Sequence, residues 1–575
     1  MKRKCLAVGI ILLFVATGVI PSTAQKIEKP SLPTSRGNWL YVGGNGPGNY
    51  TTIQSAINAA NPGDTIYVFN GVYHENLDIG KDSISILGED KDNTIIDGNG
   101  SLDVIFDVQA DSINISNFNI QNEYGGIYLF HSSNTMITSN IIDVDGYGIW
   151  LRCSGNNKII NNVLLNCFAG IYFQMSDEIG SGGNFLRYNT MVNCGFMIRG
   201  STLSDYINDI DVSNTINGKP IYYYINETNG FVPSDAGEVF LIDCDYFVVS
   251  NIIFNEGNMC VTLAYSNFNT IEAIKDNSDG EGLYLDSSNE NLIQNNHNIS
   301  FEMVNSDNNN IINNSCEGLF LTECSGNNIN SNFISKDYAG NGIYLYRNSD
   351  NNIIINNIIK LNQSSYGITL GSDENSNNII KENTIKNAII GLRIYTSSNN
   401  NEIYHNSFFN NTQNAYDECI NNWDNGYPSG GNYWDDYNGS DIEKDGIGDT
   451  PYSILGGNNQ DQYPLMLPYG MTNLTITFVP GPFKSLISIK NIGSTTALNV
   501  QNLLTLKGGF LFCAREYFGV TMPLLPGEEI AITLPIFFFG FGYIHITNSV
   551  WADNAPIITE KINGILLLFF FILKH

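Results

Sequence analysis

The feature that most constrains the fold is a short frame that recurs in the second half of the chain. It reads Asn-x-Ile-x-x-Asn-x-apolar and starts at Asn352, Asn378 and Asn401, at intervals of 26 and 23 residues. Each copy follows a Gly-apolar-x-apolar segment such as the one at Gly342. A period in the low twenties is typical of a solenoid, in which every coil stacks on the next. We therefore expect an array of parallel coils.

Two positions of the frame predict ladders that run along the stack. We expect the isoleucines of the third position to point into the core one above another: Ile354, Ile380 and Ile403. We expect the asparagines of the sixth position to lie at turns with left-handed backbone and to hydrogen-bond to the next coil: Asn357, Asn383 and Asn406. These asparagines are therefore predicted to be structural residues and not ligands.

Glycine-led strands extend the array on both sides of the frame. They begin at Gly126, Gly148, Gly170 and Gly195, and they resume at Gly282, Gly318, Gly342, Gly367 and Gly391. Because every copy has the same polarity of pattern, we expect the copies to stack in parallel and not to pair as hairpins. Ahead of them, Thr51-Thr-Ile-Gln54 has the form of a helix start, and a short helix there is suited to cap the open end of the core.

The repeat is interrupted between Arg199 and Phe254. Within that stretch, Asn217-Gly218 separates two apolar runs and predicts the turn of a β-hairpin. Insertions in solenoids often form a binding face, and tyrosine rings can stack on sugars. The candidate substrate-binding residues on the second strand of this hairpin are Tyr222, Tyr223 and Tyr224. Plain packing of the three rings is the alternative.

An acidic loop follows the array and is the candidate metal site. Its oxygen donors stand at positions one, three, five, seven and nine of a calcium loop: Asp441, Glu443, Asp445, Ile447 through its carbonyl, and Asp449. A glycine at position six permits the sharp turn that such loops need. Position twelve is Tyr452 and not glutamate, which argues against a helical EF-hand. We expect calcium as a possible cofactor, and a solvated acidic turn is the alternative.

The termini and the texture of the chain predict its domain organisation. Three basic residues precede an apolar run from Leu6 to Ile20, the pattern of a secretory signal peptide. Beyond Thr472 the chain alternates apolar and polar residues between Gly-rich turns, as in a β-sandwich. The predicted fold is all-β, with a signal peptide at 1–24, a linker at 25–37, a right-handed parallel β-helix at 38–468, an insertion at about 200–250, and an Ig-like β-sandwich at 471–575.

The charge balance excludes one class of partner. The 575 residues include 27 basic and 57 acidic ones, a net charge of −30, so nucleic-acid phosphates would be repelled. An acidic surface is typical of secreted proteins that have to stay soluble. The last apolar run, from Ile562 to Leu573, is shorter than the roughly 20 residues that span a bilayer. We expect no integral membrane span in the mature chain.

Four groups of residues together resemble a known family. They are Thr52-Ile-Gln-Ser-Ala-Ile57 with Pro62-Gly-Asp-Thr-Ile66, the asparagine frames, Asn217-Gly-Lys-Pro-Ile-Tyr-Tyr-Tyr224, and Gly430-Gly-Asn-Tyr-Trp-Asp-Asp-Tyr437 with Asp445-Gly-Ile-Gly-Asp-Thr-Pro-Tyr452. The chain is similar in these to the NosD-like family of secreted, right-handed parallel β-helix proteins. The resemblance implies carbohydrate binding or sugar hydrolysis, and it also implies copper handling, from which the family takes its name.

The residues do not support every implication of that resemblance. Copper needs clustered histidine, cysteine or methionine, and the histidines are scattered along the chain without paired spacing: His74, His131, His297 and His405. The acidic residues of the array likewise form no recognisable catalytic group, so we lean against an enzyme. We expect a secreted or cell-surface protein that binds polysaccharide or envelope glycan without catalysis. A polysaccharide lyase or hydrolase is the first alternative, and a periplasmic-type copper-handling protein is the second.

Overall fold

The computed structural model shows a parallel β-solenoid followed by antiparallel sheets. It describes residues 37–98, 103–174, 182–255, 257, 259–277, 282–443, 445–472, 474–479, 486–493, 496–511, 516–520, 523–525, 527–533, 540–568 and 570–573. About 17 turns of solenoid are formed, which confirms the predicted parallel stacking of coils. The predicted signal peptide and nearly all of the predicted linker lie outside the described residues. The right-handed winding stays a prediction.

The solenoid has two limbs, and each limb has three parallel sheets. In the first limb, sheet 1 contains Trp39–Val42, Thr65–Val68, Ser85–Gly88, Asn114–Ser116, Met136–Thr138, Lys158–Ile160, Phe185–Arg187 and Asp209–Ile210. Sheet 2 contains Gly71–Tyr73, Thr94–Asp97, Asn119–Gln121, Ile141–Asp143, Val163–Leu165, Thr190–Val192 and Thr215–Ile216. Sheet 3 contains Leu77–Ile79, Val104–Val108, Gly125–Phe130, Tyr147–Arg152, Ala169–Gln174 and Phe196–Arg199.

The second limb repeats this arrangement with sheets of its own. Sheet 4 contains Lys219–Ile225, Glu238–Ile242, Met259–Ala264, Gly282–Asp286, Phe301–Val304, Leu319–Thr322, Asn341–Tyr346, Tyr366–Leu370, Ile390–Ile394 and Gln413–Asp417. Sheet 5 contains Val248–Ser250, Thr270–Glu272, Leu292–Gln294, Asn310–Ile312, Asn328–Asn330, Ile353–Ile355, Ile379–Lys381 and Glu402–Tyr404. The third side contains Ile253–Phe254 with Lys275–Asp276, and then sheet 6, formed by Ser315–Cys316, Phe333–Ser335, Ile358–Lys360, Thr384–Lys386, Ser407–Phe409 and Tyr433–Trp434.

The predicted ladders are present, with one correction. Ile354 pairs in register with Ile380, and both are fully buried. The Oδ1 atom of Asn383 accepts hydrogen bonds of 2.9 Å from both the backbone N–H and the side-chain amide of Asn357 one coil below. The left-handed residue, however, is the one before each ladder asparagine, for example Asn356 with φ 57°. The sixth position itself is buried, and its amide donates hydrogen bonds to the coils on both sides, as Asn357 does to Ile329 and Asn383.

A short helix closes the first end of the stack, as the sequence predicts. It spans Ile53–Ala59, and the side chain of Thr52 caps it by accepting a 3.2 Å hydrogen bond from the N–H of Ser55. Ile53 and Ala56 are fully buried and pack against the first-limb core. The helix therefore covers apolar surface that the first coil would otherwise expose to water.

An aromatic stack closes the far end of the second limb. The ring of Trp434 lies parallel to those of Phe408 and Tyr452, with centroids 4.5 and 4.2 Å away. The indole N–H donates a 2.9 Å hydrogen bond to the buried carboxylate of Asp461. Two short antiparallel strands, Tyr452–Ser453 and Gln460–Asp461, hold this cap together. The aromatic, Gly-rich motif at residues 430–437 is thus a lid on the core.

The interruption of the repeat is an elbow, in which the chain leaves one limb and starts the other. Thr215–Ile216 pairs antiparallel with Lys219–Ile225, and Asn217 and Gly218 have φ of 48° and 80° between them, which confirms the predicted hairpin. A one-turn helix, Leu203–Tyr206, precedes it. Strand Lys219–Ile225 then becomes the first strand of sheet 4, so the reversal in direction at Asn217 separates the two limbs.

Side chains in the first strands of sheet 4 alternate between two cores. Tyr223 packs against the core of the first limb, whereas Tyr222 and Tyr224 pack against that of the second. On the next strand, Phe240 belongs to the first core and Leu241 to the second. Successive residues of a strand point to opposite faces, so one sheet can close the end of one limb and form a wall of the other.

Two antiparallel sheets follow the solenoid. Leu474–Val479, Leu486–Asn491 and Glu529–Thr533 form the first, and Gln501–Leu511, Glu516–Val520, Gly540–Ala552, Ala555–Leu568 and Phe570–Leu573 form the second. This confirms an all-β C-terminal region, and its assignment as Ig-like stays a prediction. No helix in the described part of the chain is long and apolar enough to cross a membrane.

Candidate functional site

The outer faces of sheets 3 and 4 each carry a row of side chains that continues from strand to strand. The row on sheet 3 contains Tyr128, Trp150, Tyr172 and Met197 in register. The row on sheet 4 contains Tyr284, Glu302, Phe320 and Tyr344 in register. Neighbouring members of such a row are about 4.8 Å apart, the spacing of hydrogen-bonded strands. Both rows alternate with the inward-facing residues, so the sequence pattern of the strands places them outside the core.

The two rows meet at the inner angle of the elbow, which we call the fork. Tyr172 and Met197 of the first limb pack against Met259 and Tyr284 of the second, and all four are buried. Trp150 contacts the edge of this cluster and remains half-buried. Burying aromatic and thioether side chains here stabilises the contact between the limbs. Further along the sheet 4 row, Glu302 and Tyr344 are half-buried and Phe320 is exposed.

An ion pair bridges the limbs where the fork opens. The guanidinium of Arg199, the last residue of sheet 3, donates two hydrogen bonds of 2.9 and 2.6 Å to the carboxylate of Glu302 on sheet 4. The same guanidinium lies 5.3 Å from the ring centroid of Tyr284. Bidentate pairs of this kind fix orientation as well as distance. The pair therefore holds the mouth of the fork in one geometry.

A second hydrogen bond crosses the fork beside the first. The hydroxyl of the fully buried Tyr206 donates a 2.6 Å hydrogen bond to the carboxylate of Asp286. Burial raises the pKa of the Asp286 carboxyl above its ordinary value, while hydrogen bonds from Tyr206 and Ser287 oppose that rise. Burial also raises the pKa of Tyr206 well above its ordinary value. Asp286 is therefore held by two hydroxyl donors, and it is buried.

The fork opens into a cleft of about 500 Å³ on the outer face of sheet 4. Its lining includes four aromatic residues, two basic side chains, one acidic side chain and one side-chain amide. These residues are Phe301, Phe320, Tyr338, Tyr344, Arg199, Lys336, Glu302 and Asn341. Apolar walls with a few convergent polar groups are what small-molecule and oligosaccharide sites have in common. The cleft combines aromatic rings with such polar groups, and the polar share of its lining is the larger one.

One wall of the cleft is a loop that carries a lysine and a tyrosine. The ammonium of Lys336 lies 4.2 Å from the ring centroid of Tyr338. The hydroxyl of Tyr338 donates a 2.8 Å hydrogen bond to Glu317, which anchors the exposed ring. Burial lowers the pKa of Lys336 below its ordinary value. The lysine is thus a partly desolvated cation that faces the cavity from the side.

The three tyrosines predicted as substrate-binding residues lie at the elbow and not in the cleft. The rings of Tyr222 and Tyr224 are stacked, with centroids 6.2 Å apart and planes 6° apart, and the Tyr222 hydroxyl bonds Asp235. The hydroxyl of Tyr223 donates a 2.5 Å hydrogen bond to the backbone carbonyl of Tyr206. All three are partly buried. Their predicted role in binding stays a prediction.

The acidic loop forms a hydrogen-bonded turn beside the aromatic cap. The carboxylate of Asp441 accepts bonds of 3.1 and 3.0 Å from the N–H groups of Asp445 and Gly446, and Asp445 accepts one of 3.0 Å from Ile447. Asp449 accepts a 2.8 Å bond from the N–H of Ile442. The candidate metal residues Asp441, Glu443, Asp445, Ile447 and Asp449 lie within this turn. Calcium binding there stays a prediction.

The cleft residues are not predicted above, because no local sequence pattern links them. Arg199 and Glu302 are separated by more than a hundred residues and by the elbow. Phe320 and Tyr344 occupy the third place of the Gly-apolar-x-apolar strands, the x position, which faces away from the core. Tabulating that position from copy to copy would have shown an aromatic row. Nothing in the sequence would have shown where that row meets sheet 3.

Two curated plant proteins match a small part of the chain. A probable pectinesterase/pectinesterase inhibitor of Arabidopsis thaliana is 38% identical over 87 residues, 14% of this chain and 16% of the relative. A second protein of the same description and organism is 44% identical over 69 residues, 11% of this chain and 13% of the relative. The chain thus spans less than a fifth of either relative, and their activities do not transfer to it.

Solved structures are also similar to the chain at low identity. An alginate lyase from Paenibacillus sp. is 13% identical, with a TM-score of 0.23, over 66% of this chain and 99% of the lyase. A surface adhesin of Streptococcus pneumoniae is 13% identical, with a TM-score of 0.22, over 62% of this chain and 88% of the adhesin. TM-scores this low show neither a shared site nor a shared activity.

A family model matches more than half of the chain, at residues 57–221 and 297–439. The family is described as "periplasmic copper-binding protein (NosD)". In the part of the chain that the structure describes, no three His, Cys, Asp or Glu side chains come together in a way that could hold a metal ion. The described histidines and cysteines therefore form no cluster that would suit copper, and we derive no copper chemistry from them. With both matched segments lying in the solenoid, the chain belongs to the NosD family.

Proposed function

We propose that this chain is an exported protein that binds a polysaccharide or envelope glycan in the fork cleft without catalysing a reaction. One observation carries the proposal: a cleft of about 500 Å³ opens where the two limbs meet, lined by aromatic, charged and amide side chains. That volume lies within the range of ordinary ligand sites, roughly 300–1,000 Å³. Export rests on the predicted signal peptide.

The rows of side chains suit an extended ligand better than a compact one. Phe320 and Tyr344 are adjacent members of the sheet 4 row, with ring centroids 4.9 Å apart. The apolar face of a pyranose ring packs against an aromatic ring, and its hydroxyls need polar partners at the edge. The Arg199–Glu302 pair supplies such partners at one end of the row. A linear glycan that runs along sheet 4 would meet a new side chain at every strand.

The binding test compares two phenylalanines of the same coil. Phe320 lines the cleft on sheet 4 with 37% of its surface exposed, and Phe333 lies on sheet 6 with 42% exposed. We expect Phe320→Ala to weaken binding of a retained glycan about tenfold, because one aromatic contact is lost. Phe333→Ala is the matched control and should bind as the parent does. Glycan-array retention followed by calorimetry measures both, and equal losses would overturn the cleft as the site.

The same polymers test the absence of catalysis. Prolonged incubation with each retained polysaccharide should release neither new reducing ends nor unsaturated uronates. Release of either product by the parent, and its loss in Phe320→Ala, would place a lyase or hydrolase in the cleft instead. A parent that retains no polymer from a broad panel would overturn the binding proposal itself.

The predicted role of the three tyrosines requires a gentler substitution. Because Tyr222 and Tyr224 pack against the second-limb core, alanine there would disturb folding as well as any binding. Tyr222→Phe removes only the hydroxyl that bonds Asp235 and leaves the stacked ring in place. If Tyr222 binds glycan through its hydroxyl, this variant should lose affinity at an unchanged melting temperature. An unchanged affinity would show that the Tyr222 hydroxyl does not contact the glycan.

A further inference from the structure

The charge of the fork cleft is opposite to the charge of the whole chain. The chain as a whole has a net charge of −30. Among the residues that line the cleft, Arg199 and Lys336 are basic and Glu302 alone is acidic. Arg199 and Glu302 neutralise each other through their two hydrogen bonds. The excess positive charge of the cleft is therefore that of the Lys336 ammonium.

The environment of the Lys336 ammonium is suited to binding an anion. Its side chain is half-buried, and its ammonium lies against the ring of Tyr338. Among the described residues, no carboxylate lies within 4.0 Å of this ammonium, whereas Arg199 and Lys381 each have one and Arg187 has two. The nearby Glu317 is already bonded to the Tyr338 hydroxyl. A partly desolvated ammonium with an aromatic face on one side is stabilised further by an anion on the other.

The geometry of the wall places that anion next to the aromatic row. Lys336 and Tyr338 line the same cleft as Phe320 and Tyr344. An acidic sugar has both an apolar ring face and a carboxylate that projects from the ring edge. Stacked on the row, such a sugar would direct its carboxylate towards the loop wall. A neutral sugar would leave the ammonium with only the longer-range attraction of Glu317.

Building on the proposed function, we propose that the glycan of the fork cleft is an acidic one and that Lys336 anchors its carboxylate. The long-range electrostatic field of a chain with a net charge of −30 opposes the approach of a polyanion. Affinity for a polyanion would therefore have to come from this local contact. At physiological ionic strength the Debye length is about 8 Å, which screens the distant acidic residues more than the cleft lysine.

The experiment uses the full chain at physiological salt and polymers that differ in carboxylate content. Carboxymethylcellulose, alginate and hyaluronan are the acidic probes, and hydroxyethylcellulose and dextran are the neutral ones. We expect the acidic probes to bind more tightly, and Lys336→Met, which keeps the apolar stem, to weaken them about tenfold. Lys360→Met is the matched control, because Lys360 lies beside Ser335 one coil on and is exposed. Its affinity should be unchanged.

The outcomes separate this inference from the proposed function. Equal binding of acidic and neutral probes, unaffected by Lys336→Met but weakened by Phe320→Ala, would overturn the acidic class and leave glycan binding standing. Equal losses in Lys336→Met and Lys360→Met would show a nonspecific charge effect and would overturn the anchoring role. Failure of all five probes with the folded parent would overturn both. Circular dichroism and the melting temperature check that each variant is folded.

Discussion

Arg199 and Glu302 are joined by two hydrogen bonds of 2.9 and 2.6 Å although 103 residues separate them in the chain. Arg199 belongs to the last strand of sheet 3 in the first limb, and Glu302 belongs to the fifth strand of sheet 4 in the second. A repeat array ordinarily has contacts only between neighbouring coils. This pair is a contact between distant coils, and it exists because the elbow brings the outer faces of two sheets together.

A charge reversal tests whether this pair holds the fork. Arg199→Glu and Glu302→Arg should each destabilise the chain by about 1–3 kcal/mol, because each leaves like charges facing one another in a partly buried place. The double reversal should recover much of that loss. Urea unfolding measures all three variants. The Lys381–Glu382 pair is the control: it is buried to a similar degree, but its charged groups are 3.9 Å apart, too far for a hydrogen bond, so it should show little coupling. A double variant no more stable than the worse single one would contradict the assignment.

The asparagine ladder predicts a large effect from a small substitution. Asn357→Ala removes the oxygen that accepts two hydrogen bonds from Asn332, and it also removes the donor to the carbonyl of Ile329. Because these groups are buried, we expect a loss of about 3 kcal/mol or more in the free energy of unfolding. Chemical denaturation measures it. Asn422→Ala, at an exposed position of the same limb, should cost less than about 0.5 kcal/mol.

Two substitutions of Trp434 separate ring stacking from hydrogen bonding in the cap. Trp434→Ala should destabilise the chain by about 3–5 kcal/mol, because it empties the space between Phe408 and Tyr452. Trp434→Phe keeps a ring there but removes the donor to Asp461, and it should cost about 1–3 kcal/mol. Trp39→Phe at an exposed position is the control. Equal losses for the two Trp434 variants in urea unfolding would show that stacking contributes little.

The environment of His405 predicts that the folded chain becomes less stable as the pH is lowered. Its ring is stacked on Tyr469 with centroids 3.9 Å apart, and burial lowers its pKa below the ordinary 6.5. The folded chain thus favours the neutral ring. The contribution of His405 to stability is fully present above its ordinary pKa and is lost as the pH falls through the lowered pKa of the folded state. Asparagine is a suitable replacement for His405, because it tolerates the left-handed backbone of this position, where φ is 59°. The stability advantage of the parent over His405→Asn should shrink between about pH 8 and pH 5. A constant difference in melting temperature would contradict this.

Calcium provides a test of the acidic loop. If the loop at Asp441 binds the ion, calcium should raise the melting temperature and a chelator should lower it, since a ligand that binds only the folded state stabilises it. Asp445→Asn, which keeps an acceptor for the N–H of Ile447, should abolish that shift. Magnesium is the control, because it requires tighter octahedral geometry. A melting temperature that ignores both calcium and chelator removes the metal assignment.

The regular part of the fold could be predicted from the sequence, and the fork could not. Ile354 and Asn357 recur at a fixed period, so a local pattern was enough to assign them to ladders. The turn at Asn217-Gly218 could be predicted for the same reason, since the positive φ that it needs depends only on these two residues. The contact of Tyr172 with Tyr284 depends on how two sheets are placed relative to each other, and no periodicity records that. Lys336 likewise became a candidate only when its loop was seen to line the cleft.

The double-sided strands of sheet 4 have a consequence for biosynthesis. The core of the first limb includes Ile221, Phe240, Ile242 and Ala264, which belong to strands made after the elbow. When only the first 210 residues have emerged from the ribosome, the nascent first limb therefore lacks its closing strands, and its last apolar layer still faces water. The first limb is closed only when the chain up to Ala264 is available. A chaperone or an export channel that keeps the nascent chain extended until then would protect this layer from aggregation.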